Sequence, residues 1–167
     1  MNPCRFAVPL ALTLAAALAA ALPAAAQSAL AARNTDPDLV EVRSYPLSMD
    51  KVERLAAAID ALNQLESSDP ALKSKMDAEP ADDPTIDEKV RSLDTRFPEA
   101  ANVVHQNGLT SRDYIVVSLA FLNDVAFVAM KRQGALPSYP PGSITPANAA
   151  FVEANYSKLQ QLSQRIS

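Results

Sequence analysis

The spacing of apolar residues along the chain follows intervals of three and four, which is typical of amphipathic helices. The clearest stripe consists of Val52, Leu55, Ala56, Ile59, Leu62 and Leu65. Ser48 precedes this stripe as a suitable N-cap, and Leu47 and Val52 stand at the two positions of a hydrophobic staple. We therefore predict a long helix that begins after Ser48 and ends near Ser67.

Further helices are predicted from local start signals, either a capping residue or a proline at the first helical position. These signals are Asp69-Pro70, Thr85 with Glu88, Phe97-Pro98 and Thr145-Pro146. Gly108 provides a stop for the helix that starts at Pro98. The last helix, from Pro146, is expected to run nearly to the C-terminus.

The segment from about 110 to 133 is the most apolar helix of the chain. Thr110 and Asp113 mark its start, and Gly134 marks its end. Because apolar residues lie nearly all round this helix, we expect it to be buried on several sides at the centre of the fold. A second membrane span is the alternative, but Asp124 near its middle would be costly in lipid.

These elements define the predicted organisation of the chain. We expect an all-α protein, a compact bundle of four to six helices around the central helix, forming a single domain over residues 48–167. Residues 27–47 are expected to be an N-terminal tail, in which 39–45 alternates weakly and suggests an extended strap.

Residues 1–26 have the features of a signal peptide. Arg5 is followed by an apolar run from Phe6 to Leu22, then Pro23 and the small residues Ala24-Ala25-Ala26. This order predicts cleavage near Ala26 and a periplasmic or secreted location in a bacterium. An uncleaved anchor is the alternative. Cleavage would remove Cys4, the only cysteine, and leave a mature chain without disulfides and without a stable membrane span.

The charge distribution excludes one class of partner. The chain contains 15 Lys and Arg against 19 Asp and Glu, for a net charge of −4. Residues 125–167 hold four of the bases and one of the acids. No basic stripe accompanies this acidic balance, so nucleic acid is not expected as a partner.

Few polar residues stand in apolar surroundings. Asp124 lies in the most apolar helix beside Asn123, and Asn155 lies on the apolar seam of the last helix, seven residues after Asn148. A ligand- or proton-handling role is one interpretation of Asp124. The other, which is favoured, is a structural contact to Arg or Lys or a position on an exposed face of the helix. For Asn155 a role in fixing helix register is favoured over ligand binding.

Signatures of catalysis, metals and cofactors are weak. His105 is the only histidine, and no G-x-S-x-G or C-x-x-C-H motif is present. With one histidine and no cysteine in the mature chain, a zinc site is not expected. We therefore predict no catalytic residue, no metal site and no cofactor.

Three stretches carry a family resemblance: Tyr45 to Val52, Gly108 to Tyr114 and Thr145 to Val152. Together they resemble a group of small exported bacterial helical proteins of unassigned function, which implies a helical fold and no particular site. We expect a non-catalytic envelope module that binds a protein or a small ligand. The alternatives are a small all-helical periplasmic enzyme and a chaperone-like protein.

Overall fold

Seven helices follow one another in the computed structural model, which describes residues 36–78 and 84–166, with side chains as far as 163. They are α1 (Pro37–Ser44), α2 (Met49–Ser68), α3 (Pro70–Asp77), α4 (Ile86–Arg96), α5 (Pro98–Gln106), α6 (Ser111–Arg132) and α7 (Pro146–Ile166). The described residues contain no strand. The all-α prediction is therefore confirmed, while the predicted signal peptide and residues 27–35 lie outside the described residues.

The predicted helix starts are confirmed by their capping contacts. The Ser48 side chain accepts a hydrogen bond from the Lys51 amide, and Thr110 accepts one from the Asp113 amide. Thr85 and Glu88 form both hydrogen bonds of a capping box at the start of α4. Local side-chain chemistry thus places three of the helix boundaries where the sequence pattern put them.

The predicted extended strap is wrong over most of its length, because Pro37–Ser44 forms α1. The Asp36 side chain accepts from the Asp38 amide at 3.0 Å, and Pro37 occupies the first turn. Contacts made far along the chain also hold α1. The Asp38 carboxylate, for example, accepts from the Ile86 amide at 2.8 Å and so caps α4. The stretch between α1 and α2 is not helical.

Helix α6 is central, since it packs against α1, α2, α4, α5 and α7. Its buried face includes Val116, Val117, Ala120, Phe121, Asp124 and Val128. The opposite face exposes Leu119, Leu122 and Met130, with Leu122 50% accessible. The helix is therefore buried on several sides, as expected, but one side is not covered by the described residues.

The same helix has the length and hydropathy that crossing a membrane requires. It is the one such helix in the described part of the chain, and the core helices of soluble proteins share this property. Asp124 lies fully buried within it.

Two helices end at glycines with positive φ. Gly108 (φ 77°) follows α5 and Gly134 (φ 75°) follows α6. Backbone bonds from Leu109 to Val104 and from Ala135 to Met130 close a Schellman motif in each case. This conformation favours glycine, and it confirms both predicted stops.

Candidate functional site

Asp124 is completely buried, and neutral amides satisfy its carboxylate. Asn123 Nδ2 donates to Asp124 Oδ1 at 2.9 Å, and Asn148 Nδ2 donates to Asp124 Oδ2 at 2.7 Å. A structural contact from Asp124 to Arg or Lys was one interpretation of the sequence. In the structure both hydrogen bonds come from asparagine amides instead. Burial raises the pKa of the Asp124 carboxyl, while the hydrogen bonds from Asn123 and Asn148 act in the opposite direction.

Asn148 joins the last helix to the segment between α1 and α2. Its Nδ2 also donates to the Tyr45 carbonyl at 2.9 Å, and its Oδ1 accepts from the Leu47 amide at 3.1 Å. Both N–H groups and the oxygen of this amide are therefore engaged. Asn148 thus connects α7, α6 and the Tyr45–Leu47 backbone in one buried network.

Asn123 holds the loop before α7 in the same way. Its Nδ2 donates to the Ser143 carbonyl at 2.9 Å, in addition to Asp124. The Ser143 hydroxyl in turn donates to the Pro140 carbonyl at 2.7 Å. The side chains of Asp124, Asn148 and the half-buried Asn123, hereafter the polar junction, therefore fix three separate parts of the chain.

Asn155 does not take part in the polar junction. It is half-buried on α7, and its Nδ2 donates to the carbonyl of Phe151, one turn earlier in the same helix. Of the three residues predicted for a site, the structure brings Asp124 and Asn123 together and leaves Asn155 apart. Asn148, which the sequence marked only by its spacing of seven residues from Asn155, supplies the second amide that donates to Asp124.

A second polar cluster joins α4, the end of α5 and the start of α6. The buried Ser111 hydroxyl donates to Asp94, and His105 Nε2 lies 3.2 Å from Ser111 Oγ. Because the single hydroxyl hydrogen goes to Asp94, His105 must donate to Ser111. In a catalytic triad the serine donates to the histidine, which donates to the acid. The order here differs, and the cluster suits a structural connection.

An apolar cleft of about 590 Å³ lies between α4 and α6. Leu93, Phe97, Tyr114 and Ile115 form its apolar walls. Leu93 and Phe97 are also core residues, whereas Tyr114 and Ile115 remain partly accessible. No motif in the sequence indicated this cleft, because its walls come from two helices separated by α5.

Polar side chains surround the α4–α6 cleft. Lys89, Arg96 and Glu88 all line it. Lys89 Nζ donates to the Pro84 carbonyl at 2.6 Å, and the Arg96 guanidinium lies 5.7 Å from the Phe97 ring centre. Hydrogen bonds from the backbone and side chain of Thr85 hold the pKa of the exposed Glu88 carboxyl below its ordinary value.

Two smaller clefts flank α1. One of about 260 Å³ is lined by residues that include Leu39, Ile86 and Leu119, and one of about 270 Å³ by residues that include Val40 and Ile144. None of the three clefts is lined by Asp124. The described residues contain no group of three or more His, Cys, Asp and Glu side chains suited to hold a metal ion.

Comparison with known proteins does not assign the chain to a family. No family model matches the chain, and no curated protein and no solved structure matches it either.

Proposed function

We propose that this protein is an exported, non-catalytic binding module of the bacterial envelope, and that a small apolar ligand binds in the α4–α6 cleft. The observation that carries the proposal is the cleft itself. Its volume falls within the range of about 300–1,000 Å³ common for small-molecule sites, and apolar walls with a few polar groups are typical of such sites. The two helices that form it are anchored in the core by Leu93 and Val116.

The polar clusters support binding over catalysis. The Asp124 oxygens both accept from amides in a closed network that lines none of the clefts. Ser111 is 3% accessible, and its hydroxyl is committed to Asp94. A substrate has no access to either group in this conformation. Neither Asp124 nor Ser111 therefore supports the alternative that the protein is an enzyme.

Export is the second part of the proposal. The apolar run from Phe6 to Leu22 and the alanines before Gln27 support it, as does a mature chain that needs no thiol chemistry. An extracytoplasmic protein that binds small apolar molecules would act as a carrier or sensor outside the inner membrane.

The cleft is tested by titration with a neutral apolar fluorophore, N-phenyl-1-naphthylamine, whose emission rises in apolar surroundings. Wild-type protein should give a saturable signal. Ile115→Asp should weaken binding by about tenfold or more, because it places a charge in the apolar wall. Ser92→Trp should also weaken binding by filling the cleft from α4.

Leu122→Asp provides the matched control on the same helix. Leu122 is 50% accessible and does not line the cleft, so this variant should bind the fluorophore within about twofold of wild type. Thermal melts verify that each variant is folded. Absence of a saturable signal in wild type, or equal losses in Ile115→Asp and Leu122→Asp, would overturn the proposal.

A further inference from the structure

Tyr114 differs from the other three tyrosines of the chain in what its hydroxyl contacts. The other three hydroxyls each form a hydrogen bond with a side chain, in the pairs Tyr45–Asp113 (2.8 Å), Tyr139–Glu153 (2.6 Å) and Tyr156–Gln160 (3.2 Å). No residue in the described part of the chain forms a hydrogen bond with the Tyr114 hydroxyl. The O–H group of Tyr114 is therefore free to bond to a molecule from outside.

The Tyr114 hydroxyl is within reach of a ligand. Its side chain packs against the core, is partly buried and lines the α4–α6 cleft. Among the described residues, every fully buried side-chain nitrogen and oxygen has a hydrogen-bond partner. Because the Tyr114 hydroxyl has none, its oxygen keeps some exposure, and the cleft that Tyr114 lines provides the space for a ligand to approach it.

The Tyr114 phenol is protonated at neutral pH and can act as a donor. Burial raises the pKa of this phenol above its ordinary value, and the negative charge of Glu66 acts in the same direction. A tyrosine hydroxyl in largely apolar surroundings usually has a hydrogen-bond partner, because the loss of its bonds to water is costly. An acceptor atom on a bound ligand would supply that partner.

The charged groups around the cleft do not favour a ligand of either sign. The cations are Lys89 and Arg96, and the acids are Glu88 at the cleft, Asp36 and Asp38 beside Lys89, and Glu66 near Tyr114. Both cations also have interactions within the protein, among them the Pro84 carbonyl for Lys89 and the Phe97 ring for Arg96. A neutral ligand is therefore favoured, since it loses little hydration on entering an apolar cleft.

We infer that the ligand of the α4–α6 cleft is a neutral, mainly apolar molecule with a carbonyl oxygen that accepts a hydrogen bond from the Tyr114 hydroxyl. This inference rests on the proposed function, and it assigns Tyr114 as the residue that determines specificity. The apolar part of the ligand lies against Leu93, Phe97 and Ile115. A carbonyl suits this position because it accepts without adding a charge, or a donor that would itself need a partner.

The test compares two naphthalenes of nearly the same shape, 2-acetylnaphthalene and 2-isopropenylnaphthalene, in which a methylene group replaces the carbonyl oxygen. Each is titrated as a competitor of N-phenyl-1-naphthylamine. Tyr114→Phe should weaken binding of the ketone by about threefold to tenfold, which is the effect of one neutral hydrogen bond. The same variant should change the affinities of the alkene and of the fluorophore by less than about twofold, because both bind through apolar contacts.

Tyr156→Phe is the matched control, because Tyr156 lies on α7 and does not line the cleft. It should change the affinity of neither naphthalene by more than about twofold. Tyr114→Phe itself should melt at a temperature no lower than that of wild type, since the hydroxyl it removes has no partner among the residues that the structure describes.

Three results would overturn the carbonyl inference: equal effects of Tyr114→Phe on the ketone and the alkene, an equal loss of ketone binding in Tyr156→Phe, or a lowered melting temperature of Tyr114→Phe. Failure of both naphthalenes to displace a bound fluorophore would overturn it as well. Each of these results leaves the proposed binding function standing. A wild-type protein that does not bind the fluorophore overturns both proposals.

Discussion

Two effects act in opposite directions on the pKa of the buried Asp124 carboxyl. Removal from water favours the neutral acid, whereas the amide donors of Asn123 and Asn148 favour the carboxylate. The same two donors also hold the Tyr45 and Ser143 carbonyls. A change at this one carboxylate is therefore transmitted to the loop before α7 and to the segment before α2.

Asp124→Asn should destabilise the protein by about 1–3 kcal/mol, because an amide nitrogen replaces one acceptor and faces an N–H donor. The free energy of unfolding in urea, measured at neutral pH, tests this. Glu99→Gln makes a comparable change at an exposed acid and should cost less than about 0.5 kcal/mol. Equal stability of Asp124→Asn and wild type would contradict the structural role of the polar junction.

The penalty of Asp124→Asn should depend on pH. Because the folded pKa of Asp124 is raised, its stabilising contribution is fully present below the unfolded value near 3.9 and is lost as pH rises through the folded value. The asparagine variant lacks this contribution. The difference in unfolding free energy between wild type and variant, measured by urea titration, should therefore be larger at pH 4 than at pH 7. A difference that is smaller at pH 4 would contradict a raised pKa of Asp124.

Among the elements, the helix ends were the features most accessible to sequence reasoning. Ser48, Thr85 and Thr110 cap their helices through residues three positions away, so each signal lies within one stretch of chain. Helix α1 was missed because its stabilising partners are distant. Arg112, for example, donates to Glu41 at 2.8 Å from 71 positions along the chain.

The glycines that end α5 and α6 allow a paired test of helix termination. Both have φ near +75°, so Gly108→Ala and Gly134→Ala should each cost about 1–2 kcal/mol. An added Cβ at Gly108 also meets the Arg54 guanidinium, whereas nothing lies within 4 Å at Gly134. Gly108→Ala should therefore cost more in thermal or urea unfolding.

The difference between the two glycine variants should be modest. The Arg54 side chain is 47% accessible and can move away, at the expense of its hydrogen bond to the Gly108 carbonyl and its ion pair with Asp50. An Arg54→Ala background should bring the two penalties to the same value. A difference that persists in that background would show that contact with Arg54 is not its cause.

For the molecule as a whole, the fold class followed from periodicity, but neither candidate site did. The polar junction needs Asp124 and Asn148 to meet across 24 residues, and the cleft needs α4 and α6 to pack together. Such encounters depend on tertiary packing and leave no local pattern. Asp124 could be singled out as unusual because it interrupts an apolar helix, whereas its amide partner could not be chosen among the polar residues.

Export is a property of the whole molecule, and it can be tested directly. Expressed in a bacterium with its first 26 residues intact, the protein should be recovered outside the cytoplasm with Gln27 as its N-terminal residue. Signal peptidase requires small residues at the first and third positions before the cleavage site, here Ala26 and Ala24. Intact mass spectrometry of the periplasmic fraction measures this. An intact mass that corresponds to a chain starting at Met1 would contradict cleavage.

The contacts of α1 have a consequence for the order in which the molecule is completed. Asp38 holds the Ile86 amide, Glu41 pairs with Arg112, and the Tyr45 carbonyl receives Asn148. Synthesis proceeds from the N-terminus, so α1 emerges before the other described helices, but Tyr45, the residue directly after it, acquires its partner only when α7 begins. The first helix of the described residues is thus among the last to be secured, and a nascent chain that stops before Asn148 leaves both Tyr45 and Asp124 without their shared amide.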